Sequence, residues 1–431
     1  MDVLNLGIGN DINRKEKSGN GYLWNSAAGL VNAGESVILS MVVTRTDGML
    51  EAGILSVAFA VGNLMMTIGK FGVRAYQATD VKGQFSFADY FWTRVLTSAL
   101  MLLTTAGYLL YGTYAMGYSG QKVAVVAAIC IIYTIESVED VFWGLYQQRQ
   151  SLDTGAKVFL IRWLLILAAV AGLLAAGKGL AAASVVGAVV CLAAFLIFNT
   201  AAFLGFHEKL APVRWQAVWW ILRDCAPLAA VSFFSFYVTN APKYAIDRHL
   251  PQEVQACYGF VAMPVFVIGL LNGFIYQPTL VKTALEWKEG RVASFRRRAV
   301  KQCFILCGLT AVCVFGAYVC GIPVLSFLYH ADLRAYRNEL LLLVFSGGML
   351  AYTGYFCVLL TIMRRQKLLL YAYGAASMPA FLFMDTVVKY FGVMGAAVFY
   401  TFLMSVLAGG FGSLCRREIK DALRKDEGIV A

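Results

Sequence analysis

Charge is scarce in this chain. Only 14% of its 431 residues are Asp, Glu, Lys or Arg, against roughly a quarter in an ordinary soluble protein. Beside 60% hydrophobic residues, that shortage excludes a soluble multidomain enzyme and intrinsic disorder. Proline is sparse at 8 and glycine is not, at 40. The combination suits long helices with small residues between them. The three histidines, His207, His249 and His330, lie far apart in sequence. No Cys-x-x-Cys, His-Glu-x-x-His or Gly-x-Ser-x-Gly pattern occurs. Zinc ribbons, thioredoxin chemistry, zinc hydrolysis and a nucleophile elbow are therefore unsupported, and no metal site is expected. The string GLLAAGKG at 172–179 has Gly-x4-Gly-Lys spacing, but Gly179 stands where a phosphate-binding loop needs Ser or Thr for Mg²⁺. Neither ATP nor nucleic acid is an expected partner.

What is abundant is apolar sequence in runs of helix-crossing length, about 20 residues each. Twelve runs are expected, at 22–44, 51–70, 89–116, 121–146, 155–176, 180–205, 225–245, 254–277, 300–326, 338–362, 367–388 and 392–414. The fold class is thus an all-α integral membrane protein with about twelve transmembrane helices. The polar stretch DINRKEKSGN ahead of the first run, and that run's length, argue against a cleavable signal. The ten cysteines lie mostly inside apolar runs and read as small hydrophobes. Gly269-x3-Gly273 predicts close helix packing.

Lysine and arginine set the expected orientation. With the N-terminus in the cytoplasm, 28 of the 36 cations fall on the cytoplasmic side and 8 on the other, which places both termini inside. RVASFRRRAVK, at 291–301, is then a positive-inside loop, with lipid headgroups as its second reading. The two halves match in layout: Arg45 follows the first run, and Arg248 the seventh. Two six-helix lobes in parallel orientation are a recurrent transporter plan. The expected organisation is a tail at 1–20, an N-lobe at 21–205, a linker at 206–224, a C-lobe at 225–415 and a tail at 416–431. Trp215, Trp219 and Trp220 in the linker suit an interfacial anchor.

Ionisable groups at membrane depth are costly and are candidates for function. Glu35 sits midway along the first run, with Asn25 and Asn32 at helical spacing from it. It reads either as a proton or sodium carboxylate or as one partner of a neighbouring helix. Glu136, Glu139 and Asp140 form an acidic cluster at i, i+3 and i+4. With Arg94 and Arg162 on neighbouring runs at similar depth, it is a structural ion-pair network or a coupling site. In YVTNAPKYAIDRHL, Asn240, Pro242 and Lys243 are expected to break the seventh helix and expose a cation to an anionic ligand. Lys243 snorkelling to the interface is the alternative. Arg45, Arg74 and Arg248 join it as candidate substrate-binding cations, because Arg suits phosphate oxygens.

The stretches ESVEDVFWGLYQQRQSLDTGAKVFLIRWLL and TNAPKYAIDRHLPQEVQACYGFVAMPVFVIGLLNGFIYQPTLVK resemble polysaccharide transport (Wzx-type) flippases of the multidrug/oligosaccharidyl-lipid/polysaccharide (MOP) superfamily. The resemblance covers essentially the whole chain, and its motifs are diffuse. It implies a MATE-like fold of two pseudo-symmetric lobes in the bacterial inner membrane. It implies transport, not enzymatic catalysis, of an undecaprenyl-diphosphate-linked oligosaccharide by alternating access. Membrane lipids, a polysaccharide polymerase and glycosyltransferases would be partners, and no cofactor is implied beyond Na⁺ or H⁺ coupling. A cation-coupled multidrug antiporter, and then a membrane glycan polymerase or ligase, are the alternatives.

Overall fold

The computed structural model describes residues 18–80, 83–149, 151–206 and 212–426. The expected tail up to residue 17, Lys82, Lys209 and the last five residues lie outside them. Every regular element among the described residues is helical. The chain divides into two compact units, Met1–Phe236 and Tyr237–Ala431.

The first unit holds α1 (Ser18–Thr46), α2 (Met49–Lys70), α3 (Val73–Thr79), α4 (Phe87–Ala115), α5 (Gly120–Gln148), α6 (Leu152–Ala175) and α7 (Leu180–Gly205). Local chemistry sets the ends. Ser86 accepts a hydrogen bond from the Asp89 backbone N–H, and the Asp89 carboxylate accepts from that of Ser86, a capping box that starts α4. Ser119 caps α5 in the same way, through the N–H of Lys122. The loop-like GLLAAGKG is a plain helix-to-helix turn. Gly177 and Gly179 both take positive φ there, which joins α6 to α7 tightly. Helix α5 is the centre of the unit, packed by α2, α4, α6 and α7, while α1 lies on α6.

Helix α8 (Trp215–His249) passes from the first unit into the second. The expected linker is therefore helical from Trp215 onward, and the unit boundary falls later, at Phe236/Tyr237. The reason is amphipathic spacing: Ala217, Val218, Ile221 and Cys225 recur every three or four residues and are buried. Ile221 and Cys225 join a core with Tyr90, Phe142 and Tyr146. Trp215, Trp219 and Trp220 face outward and are exposed.

The second unit continues with α9 (Gln252–Ala262), α10 (Val265–Tyr276), α11 (Leu280–Lys288), α12 (Val292–Gly316), α13 (Ile322–Tyr329), α14 (Arg337–Ile362) and α15 (Gln366–Asp426). The run expected at 254–277 is interrupted at Pro264, which has no N–H to donate. A π turn over Ala317–Gly321 joins α12 to α13. Within α15, Gly392 departs from helical geometry at φ 59°, ψ −147°. Two expectations fail here. Pro242 does not unwind α8, which stays helical through Lys243. The turn around it is packed, with Val238, Asn240, Ala241 and Ala245 buried, and packed surroundings tolerate a proline in a membrane helix. Nor does Gly269-x3-Gly273 mediate close packing: a Cβ on Gly269 meets open space, and one on Gly273 only Gln277 at 3.8 Å. The close approach lies at Gly347 of α14, where a Cβ would come 2.5 Å from the Val265 carbonyl oxygen.

Among the described residues, nine helical stretches are long and apolar enough to cross a membrane. Large apolar side chains face outward along them, including Leu103, Leu196, Phe304 and Phe381. A soluble monomer rarely exposes apolar surface on this scale. The chain is a multi-pass, all-helical membrane protein.

Candidate functional site

The candidate site belongs to the first unit and is organised by α5. Glu136, Glu139 and Asp140 stand on neighbouring turns of this central helix, so each meets a different neighbour. Lys70, the last residue of α2, pairs with Glu136 at 2.9 Å. Arg162 of α6 lies 2.8 Å from Glu139 and 3.9 Å from Glu136. Arg94 of α4 lies 2.8 Å from Asp140, and Arg74 of α3 lies 3.5 Å from its other oxygen. Arg94 and Arg162 are both 0% exposed. Removing either alone would leave a carboxylate desolvated without its strongest partner.

Neutral groups complete the network. Arg94 and the Thr97 hydroxyl both donate to the Gly69 carbonyl, at 2.8 and 2.7 Å. That position tolerates no side chain: a Cβ on Gly69 would come 2.6 Å from the Ser137 hydroxyl oxygen and 2.7 Å from the Met101 sulfur. The Asn199 amide on α7 donates to Glu139 at 2.9 Å, and the Tyr146 hydroxyl donates to Asn199 at 3.3 Å. Arg162 also donates to the Cys191 sulfur at 3.3 Å.

Glu35 of α1 is held differently. One of its oxygens accepts from the Tyr133 hydroxyl at 3.1 Å, and the other is buried with no hydrogen-bond partner. Among the described residues no cation forms an ion pair with it. The cluster therefore contains four carboxylates (Glu35, Glu136, Glu139, Asp140) and four cations (Lys70, Arg74, Arg94, Arg162), and Glu35 is held by a neutral donor without a cation among the described residues.

Beside this network lies a cavity of about 270 Å³. Asn25, Asn32, Ala28 and Gly29 of α1 form one wall, and Lys70, Arg74, Glu136 and Asp140 form the charged side. Trp143 and Phe159 close it with aromatic surface. The Arg74 guanidinium sits 5.1 Å from the centre of the Trp143 ring, within cation–π range. The wall thus combines amides, paired charges and two aromatic faces.

The structure distributes the sequence candidates unevenly. Asn25 and Arg74 line the cavity together with Glu136 and Asp140. Glu139 and Arg162 are buried behind them. Arg45 is exposed at the far end of α1, in its last turn, and does not line the cavity. It stands ten residues beyond Glu35, about 15 Å along the axis. Asn240, Lys243 and Arg248 belong to the second unit, on α8. Asn240 is buried, Lys243 is half-buried with no carboxylate partner among the described residues, and Arg248 pairs with Asp385. Lys70, Trp143, Phe159, Tyr133 and Asn199 were missed as site residues. Lys70 is the last residue of its helix, where a cation is ordinary, and an aromatic or amide inside an apolar run carries no signal that separates lining from core.

No protein-family model matches the chain, and no curated protein matches it. Solved structures do. The inward-facing conformation of a multidrug resistance MATE family transporter of the MOP superfamily superposes with a TM-score of 0.69 at 12% identity, over 97% of this chain and 98% of that one. A MOP superfamily transporter from Pyrococcus furiosus, described as having a binding pocket of reverse polarity, superposes at 0.55 and 14%, over 94% of each chain. A eukaryotic MATE transporter gives 0.59 at 12%, covering 94% of this chain and 99% of its own. These likenesses are of fold: the chain has the all-helical, MATE-like architecture of MOP-superfamily transporters.

Proposed function

We propose that this chain is a flippase that moves an undecaprenyl-diphosphate-linked oligosaccharide across the bacterial inner membrane by alternating access. The observation that carries the reading is the first-unit cavity, set in a transporter fold. Amides and paired charges offer hydrogen bonds to sugar hydroxyls, and Trp143 and Phe159 offer an apolar wall. Its 270 Å³ lies just below the range of about 300–1,000 Å³ that encloses drug-sized ligands. The proposed contacts to substrate anions are, in the first unit, Arg74 with Asn25 in the same cavity wall and, in the second unit, Lys243 with Asn240 on the same helix, with Arg45 and Arg248 as further candidates.

Twelve crossings are supported by adding α1 and α5, each 29 residues long, to the nine apolar stretches and by breaking α15 at Gly392. The 28-to-8 division of cations supports cytoplasmic termini. Glu35 is the proposed coupling carboxylate. With all eight groups of the cluster ionised the charges balance, so uptake of one proton at Glu35 leaves the site one charge positive.

Translocation of labelled lipid-linked oligosaccharide in proteoliposomes holding only this protein tests the reading, with and without an imposed proton or sodium gradient. Label reaching the far leaflet is expected. Its absence with several glycans and folded protein would overturn the proposal. The second reading, a cation-coupled multidrug antiporter, is favoured by the fold likeness and would then be tested by organic-cation efflux.

A further inference from the structure

In the second unit, one cationic surface is explained neither by the cavity nor by any acidic partner. Helix α10 ends in a 3₁₀ turn over Gln277–Thr279, and α11 and α12 follow as a hairpin. The hairpin is rigidly built. Arg298 pairs with the buried carboxylate of Glu286 through two nitrogens, at 3.0 and 2.5 Å. Trp287 packs on Phe295 with ring centres 5.0 Å apart. Gly290 takes φ 74° at the turn, and the Arg291 N–H closes it on the Glu286 carbonyl at 2.9 Å.

That internal pairing uses up the one buried acid. Lys282, Lys288, Arg291, Arg296, Arg297 and Lys301 all remain exposed. The exposed acid of the turn, Glu289, is engaged by Arg291, so the surface keeps a large positive excess. Apolar side chains are interleaved with the cations: Val281 on α11 is 71% exposed, and Leu285 and Val300 are exposed as well. Along α12 a single outward face reads Arg297, Val300, Lys301, Phe304, Val312 and Phe315. It changes from cationic to wholly apolar at Phe304, which is 74% exposed. The cationic stretch Arg296–Lys301 rises about 7.5 Å along the helix axis. One headgroup layer is about 5–7 Å thick, and hydrocarbon begins below it. The order of chemistry along this face is the order met on going into a lipid leaflet.

We propose that the α11–α12 hairpin is a binding surface for anionic phospholipid headgroups, with Arg296, Arg297, Lys301 and Lys282 on the phosphates and Val281, Leu285 and Phe304 against the acyl chains. Clustered juxtamembrane cations attract anionic lipid in this way, and salt screens the exposed ones. The proposal is independent of what the cavity transports.

The test uses the full chain in phosphatidylcholine vesicles carrying a trace of spin-labelled phosphatidylglycerol or spin-labelled phosphatidylcholine. The readout is the fraction of each label that the protein immobilises. The wild-type protein should immobilise phosphatidylglycerol several-fold more than phosphatidylcholine, and high salt should reduce the preference. The combined variant Lys282→Gln, Arg296→Gln, Arg297→Gln and Lys301→Gln should hold the two lipids equally, while Arg296→Lys with Arg297→Lys should keep the preference. Equal immobilisation by the wild-type protein would overturn the proposal, and so would an undiminished preference in the Gln variant. Loss of phosphatidylglycerol to inorganic phosphate at constant ionic strength would assign the surface to a soluble phosphate instead.

Discussion

The two units distribute charge differently. The first carries it inside: Arg94 and Arg162 are fully buried, and three carboxylates of one helix meet four cations drawn from α2, α3, α4 and α6. In the second unit the cations of the described ion pairs all keep some exposure, from Arg298 at 26% upward. Arg248 and Asp385 are 35% and 37% exposed, and Arg365 and Arg417 stand in the open as well. Among its described ion pairs one carboxylate, Glu286, is buried, held by the partly exposed Arg298, and its buried amide pair is neutral, with the Gln302 amide donating to Asn272 at 2.7 Å. Two helical units of one chain thus need no shared polar interior. An apolar helix bundle stands on packing alone, so a buried ionic network is an addition that packing does not demand. The network, and the cavity beside it, mark the first unit as the place to look for function.

The contrast breaks most sharply by single-partner removal. Arg162→Met should cost about 3–5 kcal/mol, because Glu139 is left buried without its cation. Thermal unfolding in detergent should show it, and Arg162→Met combined with Glu139→Met should recover most of the loss. Equal stability of wild type and single variant would show the pair to be dispensable. The second unit offers a packing counterpart. Gly347→Ala should cost about 1–3 kcal/mol through overpacking against the Val265 backbone, whereas Gly269→Ala meets open space and should be neutral. Matching melting temperatures for those two variants would contradict the α10–α14 contact. Arg248→Met removes a surface pair and should cost less than about 1 kcal/mol. A loss as large as that of Arg162→Met would erase the comparison.

The smallest effect concerns the α3–α4 loop. Burial pushes the Asp80 carboxyl up, but the backbone N–H groups of Gln84 and Phe85 and the Tyr90 hydroxyl outweigh it and hold the group below its usual range. A depressed carboxyl stabilises the fold above the ordinary Asp value, about 3.9, and that contribution fades as pH falls through the lower folded value. Asp80→Asn should therefore weaken the protein at neutral pH and level its acid sensitivity below about pH 4. An acid-unfolding profile identical to wild type would remove the loop from that role.

The helices were legible because membrane crossing forces a length and a composition on each. The run at 180–205 coincides with α7, and those at 51–70 and 338–362 nearly coincide with α2 and α14. Short α3 and α11 were not legible, since seven to nine residues carry too little periodicity to stand out from loop. The continuity of α8 through Pro242 was hidden because proline argues for a break locally and only packed neighbours argue against it. At the site, three carboxylates at i, i+3 and i+4 announced a cluster on one helix. Arg94 and Arg162 could be placed at similar depth, but which carboxylate each meets, and the part of Lys70 and Arg74, could not be read from sequence, because the paired residues are between 23 and 66 positions apart in the chain.

The sequence by itself determined that this is an all-helical membrane protein with charge concentrated at particular depths, because hydropathy and helical period are local properties of the chain. The tertiary structure alone decided which carboxylate meets which cation, that Glu35 takes a tyrosine hydroxyl and no cation, and that Trp143, Phe159, Asn25 and Asn32 share a cavity wall with Lys70 and Arg74. Those outcomes depend on how α1 to α6 pack around α5, and packing is set by many distant contacts at once, none of them written in any single stretch of sequence.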